Sequence, residues 1–131
     1  MIVLDTNIII DHLKKTTGPT WLERIAQNFP KEKLAISVIT VQELYEGQST
    51  REKEKGKILL ATITPLKILS YTYEIAELAG KIARDNQKPI ELADAAIAAT
   101  AIINNALLAT FNKKDFIAIP RLKLLELSDK L

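Results

Sequence analysis

Three short apolar runs constrain this chain more than anything else in it. Met1 to Leu4 (M-I-V-L), Leu34 to Ile36 (L-A-I) and Leu107 to Ala109 (L-L-A) are too short for helices and lack the polar alternation of half-exposed strands. Such runs mark strands buried on both faces, as in parallel sheets covered by helices. Helix-period segments separate them. Ile8 to Leu13 reads as a short helix. Leu22, Ile25 and Phe29 mark the inner face of a second, with Pro19 in its first turn and Pro30 as its stop. Trp21 beside them reads as packing. Ser37 can cap a third helix running to Gly47, and Ser49 with Glu52 offers a capping box to a charged helix over about 50–60. Tyr71, Ile75, Leu78, Ala79, Ile82 and Ala83 recur at helical spacing and predict a helix over 71–86. Pro89 is expected to open one more, apolar on nearly every face to Ile103, and Asn104-Asn105 to end it. A strand over Ile63 to Leu69 carries Pro65, which argues for a sheet edge. A last strand falls between Phe116 and Leu125. Alternating strands and helices call for parallel strands joined by right-handed crossovers. The expected object is an α/β fold, a three-layer α/β/α sandwich on a parallel sheet of four or five strands, in one domain over 1–131.

Composition narrows the chemistry. The 131 residues include no cysteine and one histidine, His12. Disulfides, thiolate catalysis and Cys-ligated metals are excluded, and so is any site built on two histidines of one chain. A metal would be held mainly by oxygens, which favours Mg²⁺, with Mn²⁺ as the alternative. There is no Walker loop, no G-x-G-x-x-G and no G-x-S-x-G elbow. The net charge of +2 does not itself announce a nucleic-acid binder. Basic residues do crowd two stretches: Arg51, Lys53, Lys55 and Lys57, which alternate with Glu52 and Glu54 as on a solvated helix face, and Lys113, Lys114, Arg121 and Lys123. The opening is interrupted by Asp5 and Asp11, unlike a signal peptide, and Leu92 to Ile103 is too short to span a membrane. A cytoplasmic protein with no membrane partner is expected.

The acids fall in telling places. In folds of this class ligands bind beyond the C-terminal ends of strands, where the strand order reverses. Asp5 ends the first strand; Asn112 and Asp115 lie just past the fourth. If those strands are neighbours, these groups meet across one crevice. Asp94 stands in the run L-A-D-A-A-I-A-A, where an unpaired carboxylate costs several kcal/mol. It is either a ligand to something cationic or a first-turn acid favoured by the helix N-terminus. Glu43 is either the second half of a Thr40-x-x-Glu43 capping box or, if the helix starts at Ser37, an acid of its second turn. Thr6 and Asn7 can orient carboxylates or simply form the local turn. Glu46 and Glu91 are further acids near the crevice. His12 reads as a surface or packing residue.

Four stretches follow one another across nearly the whole chain: I-V-L-D-T-N-I-I-I-D, I-S-V-I-T-V-Q-E-L-Y-E-G, A-D-A-A-I-A-A-T-A and L-L-A-T-F-N-K-K-D-F. Together they resemble the four motifs of the PIN-domain ribonucleases, and among these the VapC-type toxins of toxin–antitoxin pairs. The resemblance implies a sheet of order 3-2-1-4-5 and puts metal-site acids on Asp5, Glu43 and Asp94. The fourth position falls on Asn112 or Asp115, and Thr6, Asn7 and Thr110 support the site. A basic residue common in the family at the position of Phe111 is absent. The implied activity is Mg²⁺- or Mn²⁺-dependent hydrolysis of RNA, including tRNA or ribosomal RNA, by a homodimer held in check by a small antitoxin. A housekeeping or DNA-directed nuclease and a non-catalytic binding protein are the alternatives. A haloacid-dehalogenase-like phosphatase would need D-x-D where this chain has Asp5-Thr6-Asn7, and a receiver domain would need an acid after the third strand, where Leu69-Ser70-Tyr71 stands.

Overall fold

A computed structural model describes residues 1–129 and 131. Five parallel strands form the sheet: β1 (Ile2–Leu4), β2 (Leu34–Ser37), β3 (Lys67–Leu69), β4 (Leu107–Ala109) and β5 (Lys123–Leu124). Their order is β3-β2-β1-β4-β5, as the motifs imply. In β1, side chains alternate between two cores. Val3 packs with Ala35, Leu69 and Leu108 on one face; Ile2 and Leu4 pack with Ile36 and Ala109 on the other. All of β1 is buried, because helices cover both sides.

Helices α1 (Thr6–Lys14), α2 (Trp21–Asn28), α3 (Val38–Glu46) and α4 (Lys53–Ile63) supply Ile8, Ile25, Leu44 and Leu59 to the second core. Helices α5 (Tyr73–Asp85) and α6 (Leu92–Ile103) cover the opposite face, joined by Phe116 from the short α7 (Lys113–Phe116). From Ala95 to Ala101 every residue of α6 is buried. A stretch of alanines there lets the helix lie close to both the sheet and α5. Among the described residues no helix is long and apolar enough to cross a membrane.

Local chemistry moves several element boundaries from their expected places. Helix α1 starts at Thr6 rather than Ile8, because the Asp5 side chain accepts a hydrogen bond from Thr6 N–H and caps it. Helix α2 starts after Pro19, at Trp21, where Thr20 and Glu23 form a reciprocal capping box. Ser37 caps α3 as expected, accepting from Ile39 N–H. The capping box proposed for Ser49 and Glu52 does not form. Gln48–Arg51 is a 3₁₀ turn, and Glu52 precedes α4 with no side-chain cap. The strand expected from Ile63 is shorter, since Ile63 is the last residue of α4 and Pro65 lies in the turn before β3; β3 is nonetheless the edge strand that Pro65 argued for. Pro89 does not open α6. Glu91 is extended (φ −69°, ψ 152°) and the helix begins at Leu92. Phe116 belongs to α7, and the last strand is only Lys123–Leu124.

Ile97 is fully buried in α6 at the centre of the first core. Ile97→Ala should cost roughly 2–5 kcal/mol, since close packing on both sides leaves little room to collapse the cavity. Urea denaturation should show the midpoint falling with the slope unchanged.

Candidate active site

The strand order reverses at β1. The chain after β1 leads to β2 and β3 on one side, and β4 and β5 lie on the other. The crevice beyond these strands' C-terminal ends is where the sequence-predicted residues gather. Asp5 follows β1 directly, and its backbone N–H donates to the Ala109 carbonyl at 2.9 Å, extending the β1–β4 ladder to the site's edge. Its carboxylate is held at both oxygens: Oδ1 accepts from Thr6 N–H (2.7 Å) and Oδ2 from the Thr110 hydroxyl (2.7 Å). Thr110 Oγ1 also accepts from Asn112 N–H at 3.0 Å, so the turn after β4 is tied to Asp5 through one hydroxyl.

Glu43 lies in the second turn of α3, half-buried. The capping box with Thr40 is ruled out by the Ser37 start, yet Thr40 matters in another way. A carboxylate can only accept, so the single Thr6 hydroxyl proton goes to Glu43 Oε1 (2.6 Å) and Thr6 Oγ1 accepts from Thr40 Oγ1 (3.0 Å). Thr40 is fully buried and was not among the sequence-predicted site residues. Its signal was the i, i+3 spacing to Glu43, which puts both on one helix face.

Asp94 is the third residue of α6, in its first turn. It therefore has the helix-terminal placement, and it also faces the other acids. Burial, then the charges of Asp5, Glu91, Glu43 and Asp115, push its carboxyl up to about 6. Asp5 is also raised, by burial first and by Glu43, against the lowering effect of its two hydrogen bonds. Asp115 and Asn112 are both exposed; the Asp115 side chain bears on Asp94, whereas Asn112 enters the network by its backbone N–H. Asn7 contributes a buried Oδ1 with no hydrogen-bond partner. Glu46 is exposed and accepts from Gln42, apart from this network. His12 is also elsewhere, its Nδ1 2.7 Å from Thr20 Oγ1. Trp21, read as packing, meets Phe111 edge-on and carries Arg24 over its ring.

The crevice thus gathers Asp5, Glu43, Asp94 and Asp115, and none of them pairs with a lysine or arginine among the described residues. No three acids there converge into a ready-made metal cage. The donor set nevertheless suits a hard divalent ion: carboxylates and an orphaned amide oxygen, with neither thiol nor imidazole.

Comparison with known proteins places this arrangement. Residues 2–122 match the family described as the PIN domain. The chain is 34% identical over 127 residues to Ribonuclease VapC10 of Mycobacterium tuberculosis, covering 94% of this chain and 91% of that protein. It is 34% identical to Ribonuclease VapC1 of Haemophilus influenzae, covering 87% of this chain and 88% of that one. Among solved structures, VapBC2 from Rickettsia felis, bound to a DNA fragment from its promoter, superposes with a TM-score of 0.81 at 29% identity over 98% of this chain and 100% of that one. VapBC-1 from nontypeable Haemophilus influenzae gives 0.79 at 32%, covering 96% and 98%.

Both raised carboxyls hold protons more tightly in the folded chain than in the unfolded one. The stability this lends is complete below the unfolded value near 3.8 and is lost as pH rises through the folded value, about 6 for Asp94. In metal-free buffer Asp94→Asn should therefore match wild type near pH 4 and exceed it at pH 7. Solvent screening reduces the gain to about 1 kcal/mol. Thermal melts of both proteins across this range, in EDTA, would show the gap opening; a variant less stable than wild type at pH 7 would mean that only the helix-terminal role of Asp94 matters.

Proposed function

The chain belongs to the PIN-domain family, and from that premise we propose that it is a divalent-metal-dependent endoribonuclease, the toxin of a toxin–antitoxin pair, formed as one domain over residues 1–131. The observation that carries the reading is the approach of four acids, unneutralised by any lysine or arginine among the described residues, at the crevice where the strand order reverses. Asp5 and Asp94 would hold Mg²⁺ or Mn²⁺, with Glu43 and Asp115 beside them and Asn112 as the alternative to Asp115. A bound divalent ion supplies Lewis acidity at the phosphoryl oxygens and makes water a better nucleophile.

The chain's own groups do the rest. Thr6 occupies Glu43 Oε1, which leaves Oε2 to orient the attacking water and accept its proton. Thr40 fixes the Thr6 hydroxyl, and so fixes Glu43 at one remove. Thr110 and the Thr6 N–H hold the Asp5 carboxylate in a single orientation. The unpartnered Asn7 Oδ1 is a further acceptor for a water or ion next to Asp5. Attack by water rather than by the 2′-hydroxyl leaves a 5′-phosphate and a 3′-hydroxyl. The substrate, tRNA and ribosomal RNA included, is RNA. A homodimer restrained by a small antitoxin is part of this reading, supported by the likeness, at 26% identity, to a toxin–antitoxin complex from Klebsiella pneumoniae.

The purified protein should cut RNA in Mg²⁺ or Mn²⁺ and stop in EDTA, with 5′-phosphate ends found by end mapping. Asp94→Asn should lower the rate by orders of magnitude while the protein stays folded. Undiminished cleavage in chelator, or a fully active Asp94→Asn protein, would overturn the mechanism. Light scattering at micromolar concentration should give twice the chain mass. Co-expression with the neighbouring reading frame should bring down a protein of under roughly 100 residues; a monomer that retains no partner would count against the toxin reading.

A further inference from the structure

A cleft of about 770 Å³ opens from the acids, between the linker that follows α5 and the loop that follows α7. Asp94 and Asp115 form part of its wall. Lys88, Lys114 and Arg121 line it as well, and among the described residues none of the three side chains makes an ion pair or hydrogen bond. Lys81 also lines the cleft but reaches Glu77, and Asp85 beside it is held by Arg84. Three free cations beside an acidic centre suit a polyanion whose charge continues past the reacting phosphate.

Arg121 adds an independent observation. It follows Pro120 in a turn closed by the Leu122 N–H donating to the Ile119 carbonyl at 3.4 Å, and its φ is +69°. That position of such a turn favours glycine, and a side chain there is strained. Backbone strain of this kind concentrates at functional positions, and among the described residues the Arg121 side chain makes no hydrogen bond or ion pair that would repay it. Between the cations the cleft is apolar, with Ile90 partly buried and Ile117 64% exposed. A duplex keeps its base faces stacked inside; an unpaired strand can lay base faces and sugars on an apolar surface.

We propose that this cleft is the path of the RNA strand on one side of the scissile bond, holding unpaired nucleotides with phosphates on Lys88, Lys114 and Arg121 and base or sugar faces against Ile90 and Ile117. The inference deepens the ribonuclease reading and rests on it for the identity of the substrate.

The test measures binding apart from cleavage. Fluorescence anisotropy follows a short labelled oligouridylate, and an RNA duplex of the same length, on the Asp94→Asn protein in Mg²⁺. Adding Lys88→Gln, Lys114→Gln and Arg121→Gly should weaken single-strand binding by roughly tenfold or more and flatten its salt dependence by about two in the log–log slope. Arg51→Gln, Lys53→Gln and Lys57→Gln, the same loss of charge elsewhere, should leave binding within about twofold. Arg121→Gly alone should weaken binding while melting no lower than its parent. Duplex bound as tightly as single strand, or equal losses from the two triple variants, would overturn the proposal. If the cleft variant, made with Asp94 intact, binds and cuts like wild type, the cleft is refuted and the ribonuclease reading stands. If wild type binds through the cleft but cuts nothing, the ribonuclease reading falls and the cleft stands.

Discussion

The pairing of β1 with β4 is the contact on which the rest of the molecule depends. Ile2, Val3 and Leu4 lie in parallel register with Leu107, Leu108 and Ala109, joining segments more than 100 residues apart in sequence. A parallel pair cannot be closed by a tight turn, so everything between the two strands must form crossovers that pack on the faces. Here that intervening chain is β2, β3 and six of the helices. The same pairing ends at Asp5 and Thr110, whose side chains meet at 2.7 Å where the ladder stops. One backbone register therefore both closes the sheet and orients the first acid of the site.

What surrounds that acid is arranged at some cost. Asp5 is almost fully buried, and burial raises its carboxyl even though both oxygens accept hydrogen bonds. Asp94 stands near the start of a helix whose next seven residues are all buried. The macrodipole at that end favours a negative charge, but by less than burial and four neighbouring acids disfavour it. The threonines answer the difficulty locally. Thr6, Thr40 and Thr110 are neutral, short and buried, and each directs a hydroxyl into the carboxylate network without neutralising it. A lysine in any of these places would relieve the repulsion.

The surface on either side of the crevice is uneven. Toward α5 and α7 it mixes apolar side chains with charges of both signs and carries Lys88, Lys114 and Arg121. On the opposite side, Glu43 borders a groove containing Ile10, Leu13 and Ile58, of which Ile10 and Ile58 are exposed. The acids thus sit between a flank of mixed charge and an apolar one, and the two offer different chemistry to whatever approaches.

Much of this was open to reading in the linear chain. The double-faced strands announce themselves because burial on both sides removes every polar residue from M-I-V-L and L-L-A, and alternation with helical periods then fixes a parallel sheet. Family membership was legible for a similar reason: four motifs in order identify the PIN domain without any coordinate. Element ends were less so. Whether Glu52 or Ser49 precedes α4, and whether Pro89 or Glu91 precedes α6, turns on one or two backbone angles that neighbouring packing selects. That Thr6 and Thr110 support the acids was legible, but not which carboxylate each one holds, nor that Thr40 joins them. Thr40 beside Thr6 and Thr110 beside Asp5 are contacts between distant segments, and Arg121 and Asp94 come to line one cleft only through the fold. The sequence by itself determined which residue types the chain has for chemistry and which strands must be covered. Only the tertiary structure decided which of those residues meet, because hydrogen bonds and charge repulsion act over a few ångströms in space and are blind to separation along the chain.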